Sequence, residues 1–362
     1  MINNKYYELD KEHLMESDFW TNEFYRGVDG LIKYEDKFPI VIPTYNRPDN
    51  KFIKYATSHM FNGNTWPIFL VVRKSQEQMY NDSEYVKNFD YVTVLAFEDE
   101  EINDIGKVRK KIVEYFSERY KFIFMLDDDI DKIVYTHPYK RESGSNVSLS
   151  LIPSYGFKVD MANVFAMWQL SMLYSNSLVK DLILSCAMVQ GFSWDENFCD
   201  EDASVRFMAG PHTLVTCLNL ETFKNKNLNY RTIHGNGHDD IDLLIRALLA
   251  GCTTCEYRWL TFFNPGAGTS MLDFDSVKER FTKQYEEMYN NFKNVNFIKW
   301  RNRKDIPNVG INWSAAIDYH NSLGGDLWFS GEDISIINES NRKQNIWRNG
   351  EIIKEYIDGR IK

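Results

Sequence analysis

Nearly continuous apolar runs alternate with mixed-polarity stretches over the first third of the chain. Phe38-Pro39-Ile40-Val41-Ile42-Pro43, Trp66-Pro67-Ile68-Phe69-Leu70-Val71-Val72-Arg73, Tyr91-Val92-Thr93-Val94-Leu95-Ala96 and Phe122-Ile123-Phe124-Met125-Leu126 read as strands buried on both faces. Between them a helix is predicted around Asn50 to Met60, a helical or irregular stretch over Gln76 to Asn88, and a helix over Gly106 to Tyr120. In the last, Val108, Ile112, Tyr115 and Phe116 fall at helical spacing. Strands alternating with helices imply βαβ units, hence an α/β fold with a mostly parallel sheet flanked by helices. Farther on, Phe157 to Tyr174 and Ile241 to Ala250 read as helices, the second stopped by Gly251. Leu182 to Val189 and Thr213 to Leu220 read as strands, and Phe274 to Phe292 as a charged amphipathic helix. The expected division is an N-terminal extension, 1–37, docked on the body through Trp20, Phe24 and Tyr25; an α/β body, 38–275; and a helical or mixed extension, 276–362.

Composition excludes several classes. The 362 residues are 43% hydrophobic and 15% aromatic, which rules out a disordered chain and suffices for a large core. No run approaches the roughly 18 apolar residues of a membrane span, and the first residues lack the basic-then-apolar layout of a secretory signal. A cytoplasmic protein with no membrane partner is expected. Five cysteines, an odd number, argue against a disulfide framework. Cys252 and Cys255 form a Cys-x-x-Cys pair, but no second pair completes a four-ligand zinc site, so buried thiols are expected. The net charge of −10 disfavours adhesion to nucleic acid by the whole surface. Local basic groups remain at Lys132, Lys140 and Arg141, at Lys224 and Lys226, and at Lys299, Arg301, Arg303 and Lys304. Each is either a backbone-binding patch or an ordinary solvated face.

The apolar run ending at Leu126 stops in three consecutive carboxylates, Asp127, Asp128 and Asp129, with Asp131 beyond. Adjacent acids repel unless a cation or solvent offsets them. Hard cations such as Mg²⁺ and Mn²⁺ take oxygen ligands, often one or two carboxylates plus substrate phosphates. Ligands of open α/β sheets sit beyond the carboxyl ends of the strands, so a metal–phosphate site is expected there. Lys107, Arg109, Lys110 and Lys111 open a helix, where the backbone also attracts anions, with Lys110 and Lys111 read as ordinary solvated charges. Arg73 ends the second strand and is either a ligand contact or a surface residue. The loop His234-Gly235-Asn236-Gly237-His238-Asp239-Asp240 leads into a helix. Asp240 is a candidate general base and also a good N-cap. Asp242 suits the first helical turn, where the dipole favours an acid. His234 and His238 are candidate metal or phosphate ligands, and Trp194 and Asp195 line either a ligand cleft or the core.

In this order the motifs resemble those of nucleotide-sugar-dependent glycosyltransferases of the GT-A (Rossmann-like) fold, over roughly residues 38 to 270. Pro43-Thr44-Tyr45-Asn46-Arg47 is similar to the loop beside the nucleotide base, and Gly106-Lys107-Val108-Arg109 to the helix start facing the diphosphate. Asp127-Asp128-Asp129 is similar to the Asp-x-Asp metal motif. Asp239-Asp240-Ile241-Asp242-Leu243 is similar to a Glu-Asp-x-Asp-Leu motif, with Asp239 in the Glu place. The resemblance implies donor binding by Pro43, Thr44, Tyr45, Arg47, Arg73, Gly106, Arg109, Asp127 and Asp128. It implies Mn²⁺ or Mg²⁺ on Asp129 and Asp127, and catalysis by Asp240 with Asp239. The donor would be a UDP-sugar, with UDP-glucose favoured, and a base at Asp240 implies inversion.

The spacing Gly-x-x-x-Arg-x-x-Ile-x-x-Tyr-Phe, followed by the strand ending in Asp-Asp-Asp-Ile-Asp, is similar to the TET-associated glycosyltransferases of bacteriophages, chiefly over 38–135 and 236–250. That resemblance implies a 5-hydroxymethylpyrimidine of double-stranded DNA as acceptor, in the cytoplasm of an infected host. Two other readings stay open: transfer to a surface glycan, lipid-linked sugar or protein, and a non-catalytic nucleotide- or carbohydrate-binding module.

Overall fold

A computed structural model describes residues 32–58, 65–130, 132–135, 161–189, 204–208, 215–233, 238–263, 274–303, 306–323 and 346–348. The first half supplies β1 (Ile40–Pro43), α1 (Lys51–Ser58), β2 (Ile68–Arg73), α2 (Glu77–Asn81), α3 (Glu84–Asn88), β3 (Val92–Phe97), α4 (Ile105–Ser117), β4 (Phe122–Leu126) and β5 (Lys132–Tyr135). Then come α5 (Met161–Leu178), β6 (Leu182–Val189), β7 (Ser204–Phe207), β8 (Val215–Asn219), α6 (Leu220–Asn225), α7 (Asp239–Leu249) and β9 (Thr253–Phe263). The last elements are α8 (Phe274–Phe292), β10 (Ile298–Arg303), β11 (Ile306–Ile311), α9 (Trp313–Ser322) and β12 (Ile346–Arg348).

The main sheet runs β12-β7-β9-β6-β8-β4-β1-β2-β3, with β5 added to β9. Its β3-β2-β1-β4 half is parallel, as the alternation predicts. The other half is mixed: β8 lies antiparallel to both β4 and β6, β9 parallel to β6, and β7 and β12 antiparallel. An apolar run shows that a strand is buried but not which way it runs, so this half was not readable from pattern. The parallel half sets the site: β1 and β4 end at one edge, with the Thr44 and Asp127 loops side by side.

Alternation along the central strands divides the core. Ile40 and Ile42 of β1 and Phe122, Phe124 and Leu126 of β4 face α5. Val41, Ile123 and Met125 face α4 through Ile112, Val113 and Phe116. α5 is buried along most of its length, Gln169, Ser171 and Ser175 included, as befits a core helix. A third cluster joins Leu244, Ile245 and Leu248 of α7 to Met288 and Phe292 of α8, to Ile298 and Val309 of the β10–β11 hairpin and to Ala316 of α9. Residues beyond 275 therefore brace the helix that begins with Asp239 and Asp240.

Cys186, Cys217, Cys252 and Cys255 are buried and form no disulfide among the described residues, as expected; Cys199 lies outside the described residues. Cys252 packs on the α4 side of the sheet and Cys255 on the α5 side. The pair lies at the start of a strand, where residues three apart point to opposite faces, so the two thiols serve no common ion. Burial pushes both up to about 12. Among the described residues no helix is long and apolar enough to cross a membrane.

Candidate active site

The loop after β1 is tied to the acids after β4. Thr44 Oγ1 donates to Asp128 Oδ2 at 2.8 Å, and an Arg47 guanidinium nitrogen lies 2.9 Å from Asp128 Oδ1. The buried Tyr80 hydroxyl sits 2.9 Å from Thr44 Oγ1 and accepts the Arg47 amide at 2.9 Å. Asn46 is left-handed, φ 54°, a conformation Asn tolerates, and its amide pairs with the Gln76 side chain. These contacts fix a tight turn and leave Tyr45 exposed, with the Arg73 guanidinium 4.4 Å over its ring. Arg73 also donates to the Asn103 carbonyl at 2.9 Å. Asp128 thus anchors the β1 loop. Burial raises its pKa, while Thr44 and Arg47 hold it down.

Asp104 caps α4 by accepting the Lys107 amide at 2.9 Å. One residue into that helix, Gly106 packs against backbone: a Cβ there would lie 2.8 Å from the Arg231 carbonyl oxygen. Glycine is what lets α4 and the 230–232 segment meet. One turn later comes the buried Arg109. It donates to Asp239 Oδ2 at 2.9 Å and to Asp127 Oδ1 at 3.0 Å, with Tyr230 beside it. Two acidic motifs over a hundred residues apart thereby share one guanidinium. Burial alone would lower the Arg109 pKa, but Asp239 and Asp127 outweigh it and hold the group protonated. Arg109 was expected to face a diphosphate; these two nitrogens are engaged with the chain's own carboxylates.

The remaining acids divide by role. Asp242, fully buried, is gripped by Arg231 through both carboxylate oxygens and by Arg246 at 2.8 Å. It orients α7 and has no lone pair to offer a ligand without losing those bonds. Among the described residues Asp240 accepts only the adjacent Ile241 amide, at 2.8 Å. Burial, then the neighbouring Asp239, push it up to about 7 against the pull of Arg109. Burial pushes Asp127 up to about 6, opposed by Arg109 and reinforced by Asp129 and Asp128. Asp129 Oδ1 is buried with no hydrogen-bond partner among the described residues.

His238 precedes α7 in a left-handed conformation, φ 58°, its ring edge-on to Phe281 of α8 at 5.4 Å. Among the described residues its Nε2 is buried without a partner, as is Arg280 Nε. Burial lowers the His238 pKa and Arg280 adds to that, against Asp239. His234, Asp131, Trp194, Asp195, Lys140, Arg141 and Lys304 lie outside the described residues. Sequence reasoning missed Gln76, Tyr80, Tyr230, Arg231 and Arg280. None sits in a motif, and only the fold brings them near the acids.

A cation fits this corner in one way. Among the described residues no three His, Cys, Asp or Glu side chains converge as a closed site. The unpartnered Asp129 oxygen beside Asp127 matches a hard ion held by one or two carboxylates and completed by substrate oxygens.

A family model described as TET-Associated Glycosyltransferase matches residues 38–263, more than half of the chain, and the chain belongs to that family. No curated protein matched the chain. Solved structures resemble it loosely. S. aureus TarS 1-349 is 11% identical with a TM-score of 0.41, over 70% of this chain and 66% of that one. Glucosyl-3-phosphoglycerate synthase from Mycobacterium tuberculosis, in complex with Mg²⁺ and uridine-diphosphate, is 8% identical with a TM-score of 0.42, over 81% of this chain and 91% of that one.

Proposed function

We propose that this member of the TET-associated glycosyltransferase family transfers a sugar from a UDP-sugar to the hydroxyl of a 5-hydroxymethylpyrimidine in double-stranded DNA. The observation that carries the reading is the Arg109 bridge, which seats the end of β4 and the start of α7 in one site. One end suits a departing diphosphate and the other an attacking hydroxyl. The family match supports glycosyl transfer, and its description supports a hydroxymethylated base as acceptor.

Asp129 and Asp127 would hold the divalent ion, Mn²⁺ or Mg²⁺. Bound there, such an ion neutralises charge on the diphosphate as the glycosidic bond breaks. Thr44 and Arg47, locked to Asp128, present Tyr45 and Arg73 to the nucleoside. Arg109 holds Asp127 and Asp239 in place, so that neither relaxes away from the other. Asp240 takes the proton from the acceptor hydroxyl as its oxygen attacks the anomeric carbon; a base with a pKa near the working pH is well matched to this step. Attack from the face opposite the diphosphate gives inversion.

The test is incubation with Mn²⁺, a panel of sugar nucleotides, and duplex DNA with or without 5-hydroxymethylcytosine or 5-hydroxymethyluracil. Sugar is expected only in the hydroxymethylated duplexes, with UDP-glucose the favoured donor. Transfer to none of them, alongside transfer to a glycan or protein, overturns the acceptor.

A further inference from the structure

β10 and β11 form a two-stranded antiparallel sheet separate from the main one. Its inner face is apolar. Ile298 and Val309 join the cluster that holds Leu244, Ile245 and Leu248 of α7, and Trp300 meets Tyr285 and Tyr289 of α8 edge-on. Alternation turns Lys299 and Arg301 to the other face, and both are exposed. Across the ladder they oppose Gly310 and Asn308, so no carboxylate stands opposite either. Among the described residues neither makes an ion pair. The Arg301 guanidinium carbon lies 3.7 Å from where a Gly310 Cβ would stand, so the side chain crosses the ribbon there. Two basic residues thus stand about 6.6 Å apart along one ribbon face, in a chain whose net charge is −10.

We propose that the β10–β11 ribbon is a docking surface for the phosphate backbone of duplex DNA and holds the acceptor over Asp240. The inference rests on the DNA acceptor proposed above and deepens it. A two-stranded ribbon is one of the elements that the major groove admits, and a pyrimidine 5-substituent lies in that groove. The ribbon packs on α7, whose first turn carries Asp240, and Leu244 stands only one helical turn, about 5–6 Å, farther on. Docked backbone and catalytic carboxylate are therefore held by one packed unit. The same row explains how an acidic protein takes a polyanion: a few cations facing outward with no acid opposite suffice for local attraction.

The test uses the full chain and a duplex carrying 5-hydroxymethylcytosine. Binding is followed by fluorescence anisotropy across a salt series for wild type, for the double variant Lys299→Gln/Arg301→Gln, and for Lys110→Gln as an exposed cation on α4. Each lost phosphate contact lowers the slope of log K against log salt by ~0.9, so the double variant should lose ~1.8 and Lys110→Gln nothing. KM for the duplex should rise, while donor hydrolysis and transfer to a free 5-hydroxymethyl nucleoside stay at wild-type levels. An unchanged slope with duplex transfer intact overturns the ribbon and leaves the DNA acceptor standing. Loss of nucleoside transfer as well means that the two side chains serve packing, which also overturns it. A wild type that neither binds nor modifies the duplex removes both proposals.

Discussion

Two acidic triplets meet in this molecule, Asp127-Asp128-Asp129 after β4 and Asp239, Asp240 and Asp242 in the first turn of α7. In sequence they look alike, and in each the fold ties down two acids and leaves one. Asp128 is held by Thr44 and Arg47 and Asp127 by Arg109; Asp129 keeps a buried oxygen with no partner among the described residues. Asp239 is held by Arg109 and Asp242 by Arg231 and Arg246; among the described residues Asp240 has only the adjacent backbone amide. A carboxylate already saturated with donors has little to offer a ligand, whereas a buried carboxylate without them is costly unless something else binds it. The comparison therefore separates scaffold acids from working acids, a distinction that counting aspartates does not make.

The largest effects should fall on the two unheld acids, and they should differ in kind. Asp240→Asn should cut transfer by about 10²–10⁴-fold and leave UDP binding intact, measured by kinetics beside calorimetric titration. Asp129→Ala should instead abolish metal-dependent UDP binding. Identical phenotypes would erase the division between the triplets.

Next in size is the bridge. Arg109→Met leaves Asp127 and Asp239 buried without their cation, a change that costs roughly 3–5 kcal/mol when one partner of a buried pair is lost. Denaturant unfolding should show that loss at neutral pH. It should shrink in acid, because Asp127, which burial already pushes up to about 6, can then take up a proton and stop being a buried charge. A loss of under about 1 kcal/mol, as for a surface pair, would mean that the bridge holds nothing together.

The smallest and most graded effect is that of pH. Asp240 titrates near 7, and only its ionised form accepts a proton, so kcat/KM should rise about tenfold per pH unit below that value and level off above it. Stability should move the other way. The folded pKa is raised, so the protonated carboxyl is tolerated and stability is lost as pH climbs from the ordinary carboxylate range through about 7. Asp240→Asn should remove that loss, giving a higher Tm than wild type in mild alkali and none in acid. A pH–rate limb that persists in Asp240→Asn would assign it to another group, with Asp127, near 6, the next candidate.

Much of the frame was legible. The first four strands stand where the apolar runs place them, and the helix Phe274–Phe292 has the bounds its amphipathic pattern indicates. Less legible was the far half of the sheet. β9 begins with Thr253 and Thr254, polar residues that no apolar run marks, yet they are fully buried, because neighbouring strands take up their backbone groups. The basic run at Lys299 and Arg301 read as one of several equal patches, since its role depends on which face of a hairpin meets the core.

By itself the sequence determined the α/β body, the acidic ends of β4 and of the loop before α7, and the cationic start of α4. These follow from local periodicity and charge, which act over a few residues. Only the tertiary structure decided that Arg109 joins two motifs, that Asp129 and Asp240 are left without firm partners among the described residues, and that Gly106 must be small. Hydrogen-bond saturation and close packing between segments far apart in the chain are properties of the assembled fold, and no local pattern encodes them.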